Sequence, residues 1–417
     1  MNNSAYHIIG GGIAGLCSAW YLREAGFEVT IIDRGDLSDG ASHGNAGMVV
    51  PSHFVPLASP GVIAQGMRWM LDSKSPFYIR PRFDLDLMRW LWRFYRSANA
   101  RHVAVCAPVL YRFNEWSKNL YQEFAQLPDF DICFEERGLL MLYRTEAHAL
   151  GEQQLAREAN QRGVRAEVID RAGLRVLEPD MELDVLGGVY FPADAHLYPN
   201  RFIGQLRAAL ERRGVTFRLR TEITGAAATA GRVSALHTAS GESIAVDQVL
   251  AASGAWTAQM LAPLGVRLLL QDGKGYSITI DKPAVKPRIP TILTEARVAI
   301  TPMGEDLRIG GTLELSGLRA GVDGRRLAGI IESVPRYYRN WATPEAALRQ
   351  VWHGFRPCSP DGMPYIGRAP GFSNLMVATG HGMMGMSLGP ATGKLVSQLA
   401  TGSATGVEMN LMRVGRR

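Results

Sequence analysis

The chain has 417 residues, 47% hydrophobic and 20% charged, which is length for two ordinary domains and too apolar for a disordered polymer. A net charge of +6 and an isoelectric point near 9.2 come from Lys and Arg spread along the chain rather than clustered, so nucleic acid is not an expected partner. No apolar run approaches the roughly 20 residues that span a bilayer, and Cys17, Cys106, Cys133 and Cys358 lack metal-ligand spacing, so no metal is expected.

The first element, "HIIGGGIAGLCSAWYLREAGFEVTIID" from His7 to Asp33, reads as strand, glycine turn, helix and strand. It begins so early that no secretory signal is expected, which places reduced thiols in the cytoplasm. Gly10, Gly12 and Gly15 form G-x-G-x-x-G between an apolar strand and a helix. The first permits the tight turn, the second a close approach of pyrophosphate, the third close helix–strand packing. Amides of Ile13 and Ala14 at the helix start would face the phosphates. Asp33 ends the second strand, where a carboxylate accepts from ribose hydroxyls; Arg34 beside it suits a ribose phosphate or is a solvated surface charge. This is a dinucleotide fingerprint, and by itself it does not separate NAD from FAD.

"GASHGNAGMVV", Gly40 to Val50, follows as a second small-residue loop, with Ser42, Asn45, Ala46, Gly47 and Met48 as candidate cofactor contacts. Between residues 54 and 100, Trp69, Trp90, Trp92, Phe94 and Tyr95 alternate with Arg68, Arg89, Arg93 and Arg96. Aromatic rings mixed with arginines suit an anionic lipid headgroup layer, and equally a core helix with one basic face. Segments 132–142, 186–192 and 266–315 read as strands of a second sheet, and the proline-rich stretch near residue 285 as a loop. Asp194, His196 and Tyr198 sit where the chain re-enters the nucleotide domain. An amphipathic helix over 200–212 precedes short alternating strands and a buried strand, Val249 to Ala252. Ile223, Ser253 and Gly254 in this stretch are further candidate cofactor contacts. At the far end, Leu375 to Ala378 reads as a strand, Gly380 to Gly385 as a glycine turn, and a helix starts near Pro390. This turn offers a second set of amides, from Gly382, Met383, Met384 and Gly385. A cofactor lying lengthwise across its domain needs such a distant return, and NAD does not. FAD is the expected cofactor.

In this order, "GGGIAGLCSAWYL…IID", "GNAGMVVP", "KGYSITI", "RIGGTLEL", "GFRPCSPDGMPYIG" and "GHGMMGMSLGP" resemble the D-amino-acid dehydrogenase small-subunit family. That family lies within the wider group holding D-amino-acid oxidase, glycine oxidase and sarcosine oxidase. The resemblance implies an α/β fold: a Rossmann-like FAD-binding domain and a second, mixed-sheet substrate domain, both discontinuous in sequence. The division expected is 1–52, 150–175, 195–265 and 350–417 for the FAD domain, and 53–149, 176–194 and 266–349 for the substrate domain. Two departures stand out. Gly382 and Met383 follow "GH" where glycine oxidase has an arginine, and no cysteine matches the flavin-attaching one of sarcosine oxidases. Noncovalent FAD is therefore expected.

Oxidising an amino acid moves hydride from Cα to the flavin, and the protein has to orient the substrate. A planar guanidinium suits the carboxylate. Arg356 is the expected anchor, in the Gly-hydrophobic-Arg-Pro context where the resemblance puts the family's carboxylate-binding arginine; its alternative role is an ion pair with Asp361. Tyr276 and His353 are the other catalytic candidates, each with a core role as the alternative. Arg308 is read as a structural ion pair, with help in holding the substrate carboxylate as its alternative, and His381 as shaping the flavin turn. The implied activity is oxidative deamination of D-amino acids, cyclic ones such as D-proline or D-hydroxyproline included, with electrons passed to a quinone or another acceptor. An oxygen-using oxidase, an L-amino acid deaminase, or a flavin subunit of a larger electron-transfer complex stay open on the same scaffold, as does peripheral attachment to the inner face of the cytoplasmic membrane.

Overall fold

In the computed structural model, which describes residues 4–416, β1 (Ala5–Ile9) and β2 (Glu28–Ile32) pair in parallel across α1 (Ile13–Glu24), with Ile8 opposite Ile31. Both isoleucines are fully buried, as expected of a parallel sheet covered on both faces. The six-stranded sheet built on this pair runs Tyr365–Arg368, Leu375–Thr379, Gln248–Ala251, β1, β2, Thr216–Arg218, antiparallel only at its first pair. The helix Gly389–Thr401 lies on α1 so closely that a Cβ at Gly393 would sit 2.3 Å from the backbone of Cys17. Three short strands between Ile223 and Ala245 form a separate layer whose Val233 and Leu236 pack on Ile9 and Val249.

The second sheet is larger. Its order is Trp352–Cys358, Gln271–Ile280, Asp306–Leu315, Val298–Met303, Thr291–Leu293, Leu139–Tyr143, Gly187–Phe191, Glu167–Ile169, with Phe77–Ile79 paired to Leu313–Leu315. The helix Gly324–Tyr337 covers one face through Ile330 and Val334.

Three boundaries differ from those expected. Residues 150–175 belong to the second sheet, because Glu167–Ile169 pairs with Gly187–Phe191. The strand Trp352–Cys358 is also an edge of that sheet, so the chain crosses over after Cys358 rather than at residue 350. The helix Ala100–Ala125, expected in the substrate domain, packs its Phe113, Leu120, Tyr121 and Phe124 into the core of the nucleotide sheet. Hydrophobic periodicity shows that a helix has a buried face, not which sheet covers it.

Met48–Val49 pairs with Ala195–His196 as a small ladder beside both sheets. Next to it the buried Asp194 accepts from the amide of Ser52 at 3.0 Å and from its hydroxyl. Burial pushes the Asp194 carboxyl up to about 7 against these bonds, so the folded state favours the protonated acid. Its contribution to stability is full below about pH 4 and is lost as pH rises through about 7. Asp194→Asn should therefore gain in Tm over the parent across that window and hold a constant difference above it, read by thermal melts over a pH series.

Candidate functional site

The glycines of the first turn do different work. Gly10 has φ +107°, and a Cβ there would lie 2.5 Å from the carbonyl oxygen of Ala252. At Gly15 it would lie 2.0 Å from the carbonyl oxygen of Gly10. Both are glycine because the protein packs on itself. A Cβ at Gly12 would meet only Ser42 Oγ, at 3.5 Å, so nothing among the described residues demands glycine there. The open space lies at the start of α1, whose Gly12 N-cap has no side chain, while Ser42 Oγ accepts from the Ile13 amide at 3.0 Å. The amide of Ala14 in the same first turn has no intrahelical partner by geometry. The Asp33 carboxylate accepts from the amides of Gly11 (2.6 Å) and Gly35 (2.8 Å), one on each oxygen, leaving a lone pair on each. Arg34 stacks on Trp256 with its guanidinium carbon 3.7 Å from the ring centroid. Trp256 closes the short helix that Ser253 and Gly254 begin; the Gly254 carbonyl accepts from Thr379. Ile223 instead turns its side chain into the apolar seam with Ile9 and Val249, a packing role its sequence position did not distinguish.

The C-terminal turn comes to the same place. A Cβ at Gly389, the first residue of its helix, would be 2.5 Å from Ile13, so the N-termini of two helices converge beside the turn Gly382–Gly385. Both ends carry partial positive charge. His381 at the start of this turn is buried, shares a hydrogen bond with Thr392 at 3.0 Å, and is driven by burial to about 4, so it stays neutral. Met383 is half exposed beside it.

The loop 40–48 is held from the second sheet. Arg308, 3% exposed, donates to the carbonyls of His43 (2.9 Å) and Asn45 (2.8 Å), to Asn200 and to Thr279. It makes no ion pair among the described residues, contrary to the expected role, and burial lowers its guanidinium to about 10. Ser277 donates to the Gly44 carbonyl, Trp352 lies against Gly44 and Gly354, and Asn45 accepts from the Gly47 amide. Gly47 needs its φ of +71° because a Cβ would meet the Leu197 carbonyl. The nearby Met48 is buried, with Ala46 partly buried against the same cluster.

These contacts identify the face of the second sheet that looks at the nucleotide sheet, and strand alternation assigns the rest. Ser277, Gly275 and Gly273 lie on it, opposite Trp352, Gly354 and Arg356 in the neighbouring strand. Arg356 spreads over Gly275, where a Cβ would be 2.2 Å from its guanidinium nitrogens, and donates to the Thr312 carbonyl at 2.7 Å. It does not pair with Asp361, because Arg416 takes that carboxylate through two bonds of 2.7 and 2.8 Å. Burial lowers the Arg356 guanidinium, and no carboxylate among the described residues offsets it. Nothing in the sequence marks a residue so near the chain end as the partner of Asp361.

Tyr276 and His353 are corrected by the same alternation. They face each other in the ladder, one position out of phase with Gly275 and Gly354, and so look to the back of the sheet. There Tyr276 donates to Glu314 at 2.6 Å and accepts from the amide of Asp323, while His353 accepts from the amide of Gly321. The Tyr276 hydroxyl and His353 Nε2 are used within the protein, on the side away from Arg356.

The donor set fits FAD. Two converging helix starts, a carboxylate at the end of β2, the space at Gly12 and the buried, unpartnered indole nitrogen of Trp352 above Gly44 are what a long anionic dinucleotide with a flavin end would use. Fold and site together define a flavin-dependent oxidoreductase. The chain belongs to the FAD dependent oxidoreductase (DAO) family, whose profile matches residues 6–399. It is 33% identical over 420 residues to a D-amino acid dehydrogenase of Methylobacterium nodulans, covering 95% of each chain. It is 32% identical over 422 residues to one of Rhizorhabdus wittichii, covering 98% of this chain and 99% of the other. Glycine oxidase from Geobacillus kaustophilus shares the fold end to end, with a TM-score of 0.78 at 22% identity and 100% of each chain covered. L-proline dehydrogenase from P. horikoshii follows at 0.72 and 17% identity, over 99% of this chain and 96% of that one.

Because the protein leaves room at Gly12, Gly12→Val should fold with a Tm like that of the parent apoprotein yet purify colourless. Full flavin absorbance in that variant would move the pyrophosphate elsewhere.

Proposed function

We propose that the protein is an FAD-dependent D-amino acid dehydrogenase whose substrate carboxylate is held by Arg356. Bound FAD supplies the oxidant for the Cα hydride. The imino acid left after loss of hydride and a proton is hydrolysed by water to a 2-oxo acid and ammonium. The observation carrying this reading is the guanidinium of Arg356, partly buried, without a carboxylate partner among the described residues, and on the face that looks at the cofactor domain. A cation so placed is stabilised by an anion that brings two acceptors in one plane. The names of the relatives supply the substrate class.

The chain's own residues orient and shield. Arg308 fixes the 43–45 carbonyls from below, and the row Gly273, Gly275, Gly354 keeps the facing sheet free of side chains beside Arg356. The amides near Gly382 would stabilise charge developing on the reduced cofactor.

Electrons then pass to a quinone or another acceptor at an anionic membrane surface. The support is an outward patch formed by helices Val62–Trp69 and Leu85–Ser97 and the turn between them. Leu71 is 91% exposed and Phe83 wholly so, with Leu85, Met88, Trp92 and Tyr95 also outward. Arg68, Arg80, Arg89 and Arg96 are exposed among them. Trp90, read in sequence with this set, instead turns inward, donating to the Cys358 carbonyl with Phe94 stacked on it. No helix among the described residues is long and apolar enough to cross a membrane. Apolar bodies with wet cations suit the headgroup layer.

Two measurements test the reading. Anaerobic bleaching of the flavin by D- but not L-amino acids, cyclic ones included, is expected, with Arg356→Ala keeping its FAD and losing on the order of 10- to 150-fold in reduction efficiency. Reduction by L-substrates instead would favour a deaminase. For the surface, Leu71→Glu with Phe83→Glu should abolish cosedimentation with anionic vesicles at low salt and leave bleaching in solution unchanged; equal binding by parent and variant removes the patch from the account.

A further inference from the structure

The strand Asp306–Leu315 carries a β-bulge where it passes Gly275. Lys274 pairs with Glu314 and Tyr276 with Gly311, so Thr312 and Leu313 together oppose one residue. Their facing follows from their neighbours. A Cβ at Gly311 would meet Ile330 of the covering helix, and Glu314 reaches the Tyr276 hydroxyl, so both look to the back of the sheet. The two residues between them fall on the other face, where Leu313 lies against Gly273 beside the Cys358 sulfur. That is the face of Arg356.

Thr312 bears two costs at one position. It is β-branched with φ +68°, a left-handed conformation disfavoured for such a residue, and its hydroxyl is buried with no hydrogen-bond partner. A regular strand would remove the first, and valine the second. What the bulge achieves is to turn the Thr312 carbonyl out of the ladder toward Arg356, which takes it at 2.7 Å. Backbone strain of this kind collects at ligand sites. Arg356 meets Thr312 through its carbonyl, and the hydroxyl of the same residue finds no acceptor among the described residues, which a carboxylate held by the guanidinium would supply.

We propose that Thr312 is a second substrate contact: its hydroxyl donates to the carboxylate that Arg356 holds, while its carbonyl sets the angle of the guanidinium fork. This rests on reading the site as one for amino acid carboxylates. The bulge is thus part of the recognition site rather than an irregularity of the sheet.

Propanoate, followed by perturbation of the flavin spectrum in the holoprotein, is the probe. Thr312→Val keeps shape and bulge and should weaken propanoate about 10-fold or more and raise KM alike, whereas Thr312→Ser should stay within about threefold of the parent. FAD content should not change, and the Tm of the ligand-free valine variant should equal or exceed that of the parent, since an unpaired hydroxyl is gone. Parental propanoate affinity in Thr312→Val overturns the proposal, as does a joint fall of Tm and FAD content, which would make the hydroxyl structural. Arg356→Ala is run beside it. If Arg356→Ala weakens propanoate and Thr312→Val does not, the carboxylate site stands and Thr312 leaves it; if Arg356→Ala binds propanoate as the parent does, the site reading itself falls.

Discussion

The two sheets of this protein are joined through one buried cation. Arg308 makes no ion pair among the described residues, though the Asp306 carboxylate acts on it from nearby, and it donates to two backbone carbonyls, an amide and a hydroxyl, binding the loop 43–45 to the strand Asp306–Leu315. A buried charge outside an ion pair is tolerated where hydrogen bonds replace its hydration, and the four bonds of Arg308 leave the geometry around it little freedom. The loop's remaining backbone groups are aimed by that fixture, and with them the floor of the cofactor cleft. Ser277 and Trp352 add to the same contact from adjacent strands.

From this junction the division of labour within the second sheet follows by period-two alternation. The front face carries glycines and Arg356, and the back face carries the polar cluster of Lys274, Tyr276, Glu314 and His353 beneath the loop that precedes Gly324. The back-face cluster is satisfied internally; Lys274 and Glu314 lie 3.5 Å apart with both side chains nearly enclosed. The front face is left with a guanidinium, an indole nitrogen and a hydroxyl short of partners. Unpaired groups that gather beside a buried guanidinium on the face turned to the cofactor cleft are where a ligand would complete the structure.

The outward segment between residues 62 and 97 is a separate design. Its helices lie at the rim of the second sheet, tied to it by Trp90 and by the short strand Phe77–Ile79, and they present apolar side chains that none of the described residues covers. An exposed apolar patch of this kind marks a surface for contact with something outside the fold.

The sequence by itself determined the strand–turn–helix–strand that opens the nucleotide half. G-x-G-x-x-G, Asp33 and the return at Gly382 are local patterns, and a local pattern carries its backbone geometry with it, down to the turn at Gly10 and the closeness at Gly15. Arg356 was legible as a candidate from its motif. What the sequence could not decide is which side of a strand each residue occupies once bulges intervene, and which sheet a helix covers. Tyr276 and His353 look like site residues in a linear motif and are turned away by one step of register. Arg308 reads as an ion pair and is a backbone clamp; Asp361 is claimed by Arg416, 55 positions away. Thr312 has no motif of its own, because its role arises from an extra residue in one strand opposite a glycine in another. Those relations join segments far apart in the chain, and only tertiary structure brings them within reach of a hydrogen bond.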